Sequence, residues 1–108
     1  MANPRRFQQF SVTAAAGAEE TVTAIPAVTG VKQTIHAIYT SPTANIDLLF
    51  YEGQTKAIDM PSEHIPSLTN RVEIDVDVDA AVATTVGIRN NTAGSVTQII
   101  TVEYDYGT

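Results

Sequence analysis

The chain is 108 residues long, sets twelve acidic side chains against six basic ones for a net charge of −6, and has no cysteine. That length suits one domain with one core. Disulfide and thiolate chemistry are excluded, and the charge argues against nucleic acid and anionic membrane as partners, since both want a basic face. No apolar run approaches the ~20 residues of a spanning helix.

Arg5 and Arg6 stand ahead of "FQQFSVTAAAGA". Gln8, Gln9, Ser11 and Thr13 interrupt the apolar stretch that a signal peptide needs, so the start reads as mature protein made in the cytoplasm without Sec export. Residues 1–10, with the basic pair and Phe7, also suit an arm that reaches a neighbouring subunit, where Arg5 and Arg6 would meet acidic groups.

β-Branched residues dominate the apolar set, which favours strands. No window carries the i, i+3, i+4, i+7 stripe of a long helix. The first expected strand covers 6–14, with Phe10, Val12 and Ala14 on one face. The second, 20–25, is stopped by Pro26, and the third, 31–40, follows Gly30. "SPTAN" at 41–45 breaks the chain. Strands at 46–51 and 55–60, joined through Glu52-Gly53-Gln54, read as a hairpin. The proline-flanked stretch "PSEHIPSLTN" at 61–70 lacks strand character and is expected to cross from one sheet to another. A sixth strand at 71–79 leads through a tight Ala80-Ala81 link to a seventh at 82–89. "NNTAG" at 90–94 has residues that tolerate positive φ and reads as a hairpin loop before a long last strand at 95–106.

Short strands with turn chemistry between them point to an all-β, two-sheet antiparallel sandwich. Eight strands, the long crossing after the fifth, and no Cys–Trp–Cys pattern favour an eight-stranded jelly roll over an immunoglobulin domain.

The stretch "RVEIDVDVDA" at 71–80 alternates Val72, Ile74, Val76 and Val78 with Glu73, Asp75, Asp77 and Asp79. Its Asp-x-Asp-x-Asp resembles the start of a calcium loop. However, Ala80 stands where such a loop needs glycine and Val86 where it needs a bidentate glutamate. Residues two apart on a strand share a face, so the four aliphatics enter the core together and the four carboxylates point outward together, about 7 Å apart. Each adjacent pair repels by about 0.6 kcal/mol in water. The acidic stripe therefore reads as a solvated, edge-protecting face, as a docking surface for a basic partner, or as a Ca²⁺ site completed from elsewhere.

His36 and His64 are the two histidines. Neither has a Ser, Asp or third ligand at a spacing that makes a catalytic or metal motif, and there is no glycine-rich phosphate cradle. The chain is read as not an enzyme, with no cofactor. Asn90-Asn91-Thr92 fits the glycosylation pattern, which matters only in a secreted eukaryotic protein. In "YDYGT", Tyr104 and Tyr106 share a face with Ile100 and Val102, placed to close the core or anchor an interface, while Glu103 and Asp105 point the other way.

The opening "FQQFSVTAAAGAEETVTAI" and the closing "NNTAGSVTQIITVEYDYGT" belong to a small, cysteine-free, acidic β-sandwich rich in Ala, Thr and Val. In this the chain resembles small virion proteins of tailed bacteriophages, in particular head decoration, or cement, proteins with jelly-roll-like folds. The resemblance implies a structural role on the capsid exterior. The partner would be the major capsid protein, and copies would bind across subunit junctions as homo-oligomers, often trimers. The expected contacts are Arg5, Arg6, Phe7, Glu73, Asp75, Asp77 and Asp79. A sugar- or receptor-binding module of a tail or fibre is the alternative.

Overall fold

The computed structural model describes residues 4–28, 30–79 and 81–107. Eight strands are present in this part of the chain: β1 (Arg6–Ala14), β2 (Glu19–Ile25), β3 (Lys32–Tyr39), β4 (Ile46–Glu52), β5 (Thr55–Pro61), β6 (Arg71–Val78), β7 (Thr84–Asn90) and β8 (Val96–Gly107), with a 3₁₀ turn over Ser62–His64. They form two four-stranded sheets, in the orders β1-β8-β3-β6 and β2-β7-β4-β5. Every pairing is antiparallel. This is the expected two-sheet sandwich, and the strand order is that of a jelly roll: of consecutive strands only β4 and β5 are neighbours, and every other connection changes sheet.

The β4–β5 hairpin turns at Gly53, whose φ of +64° glycine adopts without the steric cost of a Cβ. As expected, 61–70 crosses between sheets. Two connections differ from expectation. Residues 90–94 do not close a hairpin, because β7 and β8 lie in different sheets; the corner is built on Asn90, which donates to the carbonyls of Ala14 (3.0 Å) and Gly94 (2.7 Å). Asparagine and glycine signal a turn without saying which sheet it enters. The sixth-to-seventh link is also longer than a dipeptide. β7 starts only at Thr84, after a turn closed by the Val82 N–H on the Asp79 carbonyl at 3.0 Å; Ala80 lies outside the described residues.

Strand alternation builds the core. Val12 and Ala14 of β1, Ile35 and Ile38 of β3, and Ile100, Val102 and Tyr104 of β8 face Ala24 and Ile25, Ile46, Leu48 and Phe50, and Val86 and Ile88 of the other sheet. Phe50 is wholly buried; full burial of a side chain of this kind contributes about 1.5–3 kcal/mol. Tyr104 closes this core, with Tyr106 edge-on to it at 5.6 Å. A polar latch crosses the layers. Fully buried Gln33 of β3 accepts from the Thr84 hydroxyl of β7 at 2.7 Å and donates to the Pro26 carbonyl at 2.8 Å. In β7, Gly87 is needed for close approach: a Cβ there would stand 2.2 Å from the Glu20 carbonyl oxygen.

Candidate functional site

Each sheet turns one face away from the core, and each outer face is tied together by a charged residue on a central strand. On the β2-β7-β4-β5 sheet that residue is Arg89. Its guanidinium reaches Glu19 of β2 (2.7 and 3.1 Å), Asp47 of β4 (2.9 Å) and Asp59 of β5 (2.7 and 2.9 Å), so one side chain spans all four strands. Planar forked contacts of this kind are the strong form of the ion pair. Lys56 adds contacts of 3.4 Å to Glu19 and Asp59. The hydrogen bond from Arg89 is the main reason that both Asp59 and Glu19 are held below the usual carboxylate range. Leu49, between Asp47 and Tyr51, shares this outward parity, yet it is fully buried beside Gly87.

The β1-β8-β3-β6 sheet reverses the polarity. Its centre is Glu103 of β8, a carboxylate only 5% exposed although it faces away from the core. It pairs with Arg5, accepts from the Tyr39 hydroxyl at 2.7 Å, and lies 3.7 Å from the Arg71 guanidinium. Arg71 Nε in turn donates to the Tyr39 oxygen at 3.0 Å. Burial pushes the Glu103 carboxyl up, but the Tyr39 and Arg5 hydrogen bonds, with the nearby cationic charge, outweigh this and hold it below the usual range. Ala37, cross-strand from Glu103, is fully buried on this face. One residue further, the bulged His36 donates from Nε2 to Asp105 at 2.6 Å.

The residues singled out from the sequence fall around this second face. Residues 6–10 are no projecting arm: they are the first half of β1 and pair with β8 in continuous register. Arg5 meets an acidic group, but it is Glu103 of its own chain. Arg6 sits 5.2 Å from the centre of the Tyr106 ring, and Phe7, 58% exposed, lies 6.3 Å from the Tyr39 ring. Met1 to Asn3 lie outside the described residues.

The acidic strand is β6, at the edge of its sheet. Glu73, Asp75, Asp77 and Asp79 are all exposed, Val72 and Val78 are buried, and Ile74 and Val76 are half-buried. The four carboxylates do not act as one stripe. Glu73 pairs with Arg71, and Asp77 accepts from the Thr34 hydroxyl at 2.9 Å. Asp75 sits in a bulge with φ +51°, where Ile74 and Asp75 together oppose the single residue His36. Among the described residues no three His, Cys, Asp or Glu side chains are grouped to hold a metal ion. His64 is exposed at the end of the 3₁₀ turn.

Sequence reasoning passed over three features. Ile99 of β8 is 47% exposed on the Glu103 face. Beside it a shallow depression of about 170 Å³ is lined by Tyr39, Thr40, Ser41, Asn70, Ile99 and Thr101. Two residues before Asn70 in the chain, Leu68 stands 98% exposed on the 61–70 crossing. The crossing is fixed by the Asn70 N–H on the Pro66 carbonyl (2.7 Å) and the Thr40 N–H on the Asn70 carbonyl (2.9 Å). A sequence signal for Leu68 existed: a lone leucine in "PSLTN" at 66–70, a stretch otherwise made of Pro, Ser, Thr and Asn. No protein-family model matches the chain, and no curated protein matches it.

Proposed function

We propose that the chain is a non-enzymatic structural protein of a virion, which binds the outer surface of the capsid and stabilises the assembled head. The observation that carries this reading is the mixed surface on the Glu103 face, with exposed Phe7 and Ile99 and the adjoining depression, bordered by the acidic edge of β6; Leu68, two residues before Asn70 of that depression, adds an exposed apolar side chain on a hydrogen-bonded loop. Apolar anchors in a polar rim are how proteins dock on proteins. The charged groups at the centre of the face are already paired within the chain, which suits a surface that docks more than one that reacts.

The mechanism is linkage. A chain that binds the closed shell and not its separated subunits stabilises the shell by about 2.7 kcal/mol per site at a free concentration ~100-fold above Kd. The test uses particles from the virus that encodes the chain. Antibody to the chain should label heads in electron micrographs, and heads stripped of it should regain heat resistance when it is added back. Ile99→Asp and Leu68→Asp chains, folded by circular dichroism, should fail to rebind. Label confined to tails, or shells indifferent to the chain, would overturn the proposal.

A second reading, a sugar- or receptor-binding module, is favoured by a different observation. On the Arg89 face a depression of about 350 Å³ is lined by Glu19, Thr21, Tyr51, Gly53, Gln54 and Thr85. An aromatic ring among polar groups is the usual make-up of a saccharide platform. Here the Lys56 ammonium sits 5.7 Å from the Tyr51 ring and competes for its face, so the capsid reading is preferred. A glycan array separates the two.

A further inference from the structure

A strand at the edge of a sheet offers unpaired N–H and C=O groups to any passing strand, and proteins blunt such edges with bulges, charges or proline. This molecule has four edges, β1 and β6 in one sheet and β2 and β5 in the other. Three are blunted. β2 bulges at Ala24, where its register against β7 shifts, and begins with Glu19 and Glu20. β5 bulges at Ala57, carries Lys56 and Asp59, and ends in Pro61. β6 bulges at Ile74–Asp75 and carries three carboxylates.

β1 has no bulge and no proline, and its one charge is Arg6 at its first position. Its nine residues pair with β8 from Arg6↔Tyr104 to Ala14↔Val96 without a register shift. Phe7 to Ala14 are uncharged, with no proline. Arg6 to Gln9 are exposed whichever face they point to, and Phe10 is half-buried. From Arg6 to Thr13, among the described residues, the backbone is bonded only to β8; the Ala14 carbonyl is taken by Asn90.

We propose that β1 pairs edge to edge with β1 of a second copy of this chain, antiparallel across a two-fold axis, which joins two four-stranded sheets into one of eight. Charge favours a second copy as the occupant. No carboxylate occurs before Glu19, so β1 is where two chains of net charge −6 approach with least repulsion. A two-fold axis near the middle of the exposed stretch also keeps the two Arg6 side chains at opposite ends of the ladder. With the axis at Gln9, that residue meets its own copy, Gln8 meets Phe10, and Phe7 meets Ser11. Like faces oppose like faces, as an antiparallel ladder requires, and an isologous contact of this kind closes after two copies.

Two measurements test this. In sedimentation equilibrium at micromolar concentration the wild-type chain should have twice its 11.5 kDa mass. The Gln9→Lys/Ser11→Lys chain puts like charges across the axis, which disfavours pairing, and should dissociate with at least a tenfold larger constant, about 1.4 kcal/mol. Both substituted side chains are exposed, so its melting temperature at dilute concentration should match the wild type. Second, the chain has no cysteine, so a single cysteine can be walked from Phe7 to Ser11. Disulfide-linked dimer should form at one position, the axis, and not from Thr97→Cys on the neighbouring strand. A wild-type monomer, a trimer, or a lysine variant that dimerises as tightly as the wild type would each overturn the proposal.

Discussion

The latch between Gln33 and Thr84 gives the sharpest test of how the two sheets are held together. Both side chains are fully buried, and the bond between them is 2.7 Å long. Gln33→Met keeps the shape of the side chain and removes its polar end, which strands the Thr84 hydroxyl in the core. A buried polar group left without its partner costs about 1–3 kcal/mol. The Pro26 carbonyl, the other partner, belongs to an exposed residue and can turn to water, so we assign it little. Thr84→Val is nearly isosteric and strands the Gln33 amide oxygen at a similar cost. Each single variant should therefore lose about 2 kcal/mol, or roughly 10 °C in Tm for a domain near 100 residues. In the double variant both groups become apolar and no polar atom is stranded. The paired change should cost about 1–2 kcal/mol less than the sum of the singles. Urea unfolding of the four proteins by circular dichroism measures the cycle. Strictly additive singles, or singles within about 0.5 kcal/mol of wild type, would refute the view that this bond latches the layers.

Three further outcomes are expected. Gly87→Ala must displace the backbone of β2, since its Cβ would sit 2.2 Å from the Glu20 carbonyl and 2.8 Å from the Thr21 Cα, whereas a Cβ at Gly94 meets nothing within 4 Å; thermal melts should show a loss of about 1–3 kcal/mol for the first and under 0.5 kcal/mol for the second. Because the folded chain holds Glu103 below the ordinary glutamate range, its contribution is present above the unfolded pKa and is lost as pH falls through the folded one; acid titration of stability should be shallower in Glu103→Gln than in wild type, and superimposable curves would contradict this. If the acidic edge meets a basic capsid surface, rebinding to stripped heads should weaken as salt rises, and less steeply for Asp75→Asn/Asp79→Asn; binding equal at low and high salt removes the charged edge from the contact.

Much of the fold was legible because it rests on local signals. β1 shows this best: Phe10, Val12 and Ala14 alternate, and the turn residues after Ala14 end the pattern, so the expected 6–14 is the observed strand. The same holds for the acidic strand, where the alternation of burial survives even through the bulge at Asp75. The bulge itself was hidden for that reason. It depends on how β6 registers against His36 of β3, a partner more than thirty residues away. Leu49 was hidden by its neighbours, since a run such as "IDLLFY" does not say which leucine faces outward. Glu103 was read correctly as pointing away from the core. That it would be buried there by Arg5, Tyr39 and Arg71, brought in from three other segments, is a matter of sheet order and register, and no spacing in the sequence encodes it.

The two charged centres also decide where the molecule can be electrostatically active. Arg89 and Lys56 consume Glu19, Asp47 and Asp59 within one face, and such mutually compensating charges project little field. Arg5 and Arg71 do the same for Glu103 and Glu73 on the other. Asp75 and Asp79 are left on β6, as are Glu20, Glu52 and Glu63 elsewhere: among the described residues these carboxylates make no hydrogen bond or ion pair, and Asp75 and Asp79 are both exposed. On the β1-β8-β3-β6 sheet the uncompensated negative charge is therefore presented along the β6 side, at the far edge of the sheet from β1. Joining two copies through β1 would place these acidic edges at the two outer margins of an eight-stranded sheet, with Phe7, Ile99 and the depression beside it repeated between them. A partner matching that face would need two basic strips separated by the width of eight strands, at about 4.8 Å per strand, and an apolar centre. That is a demand for shape as well as charge, and a single charged patch on a shell subunit would not meet it.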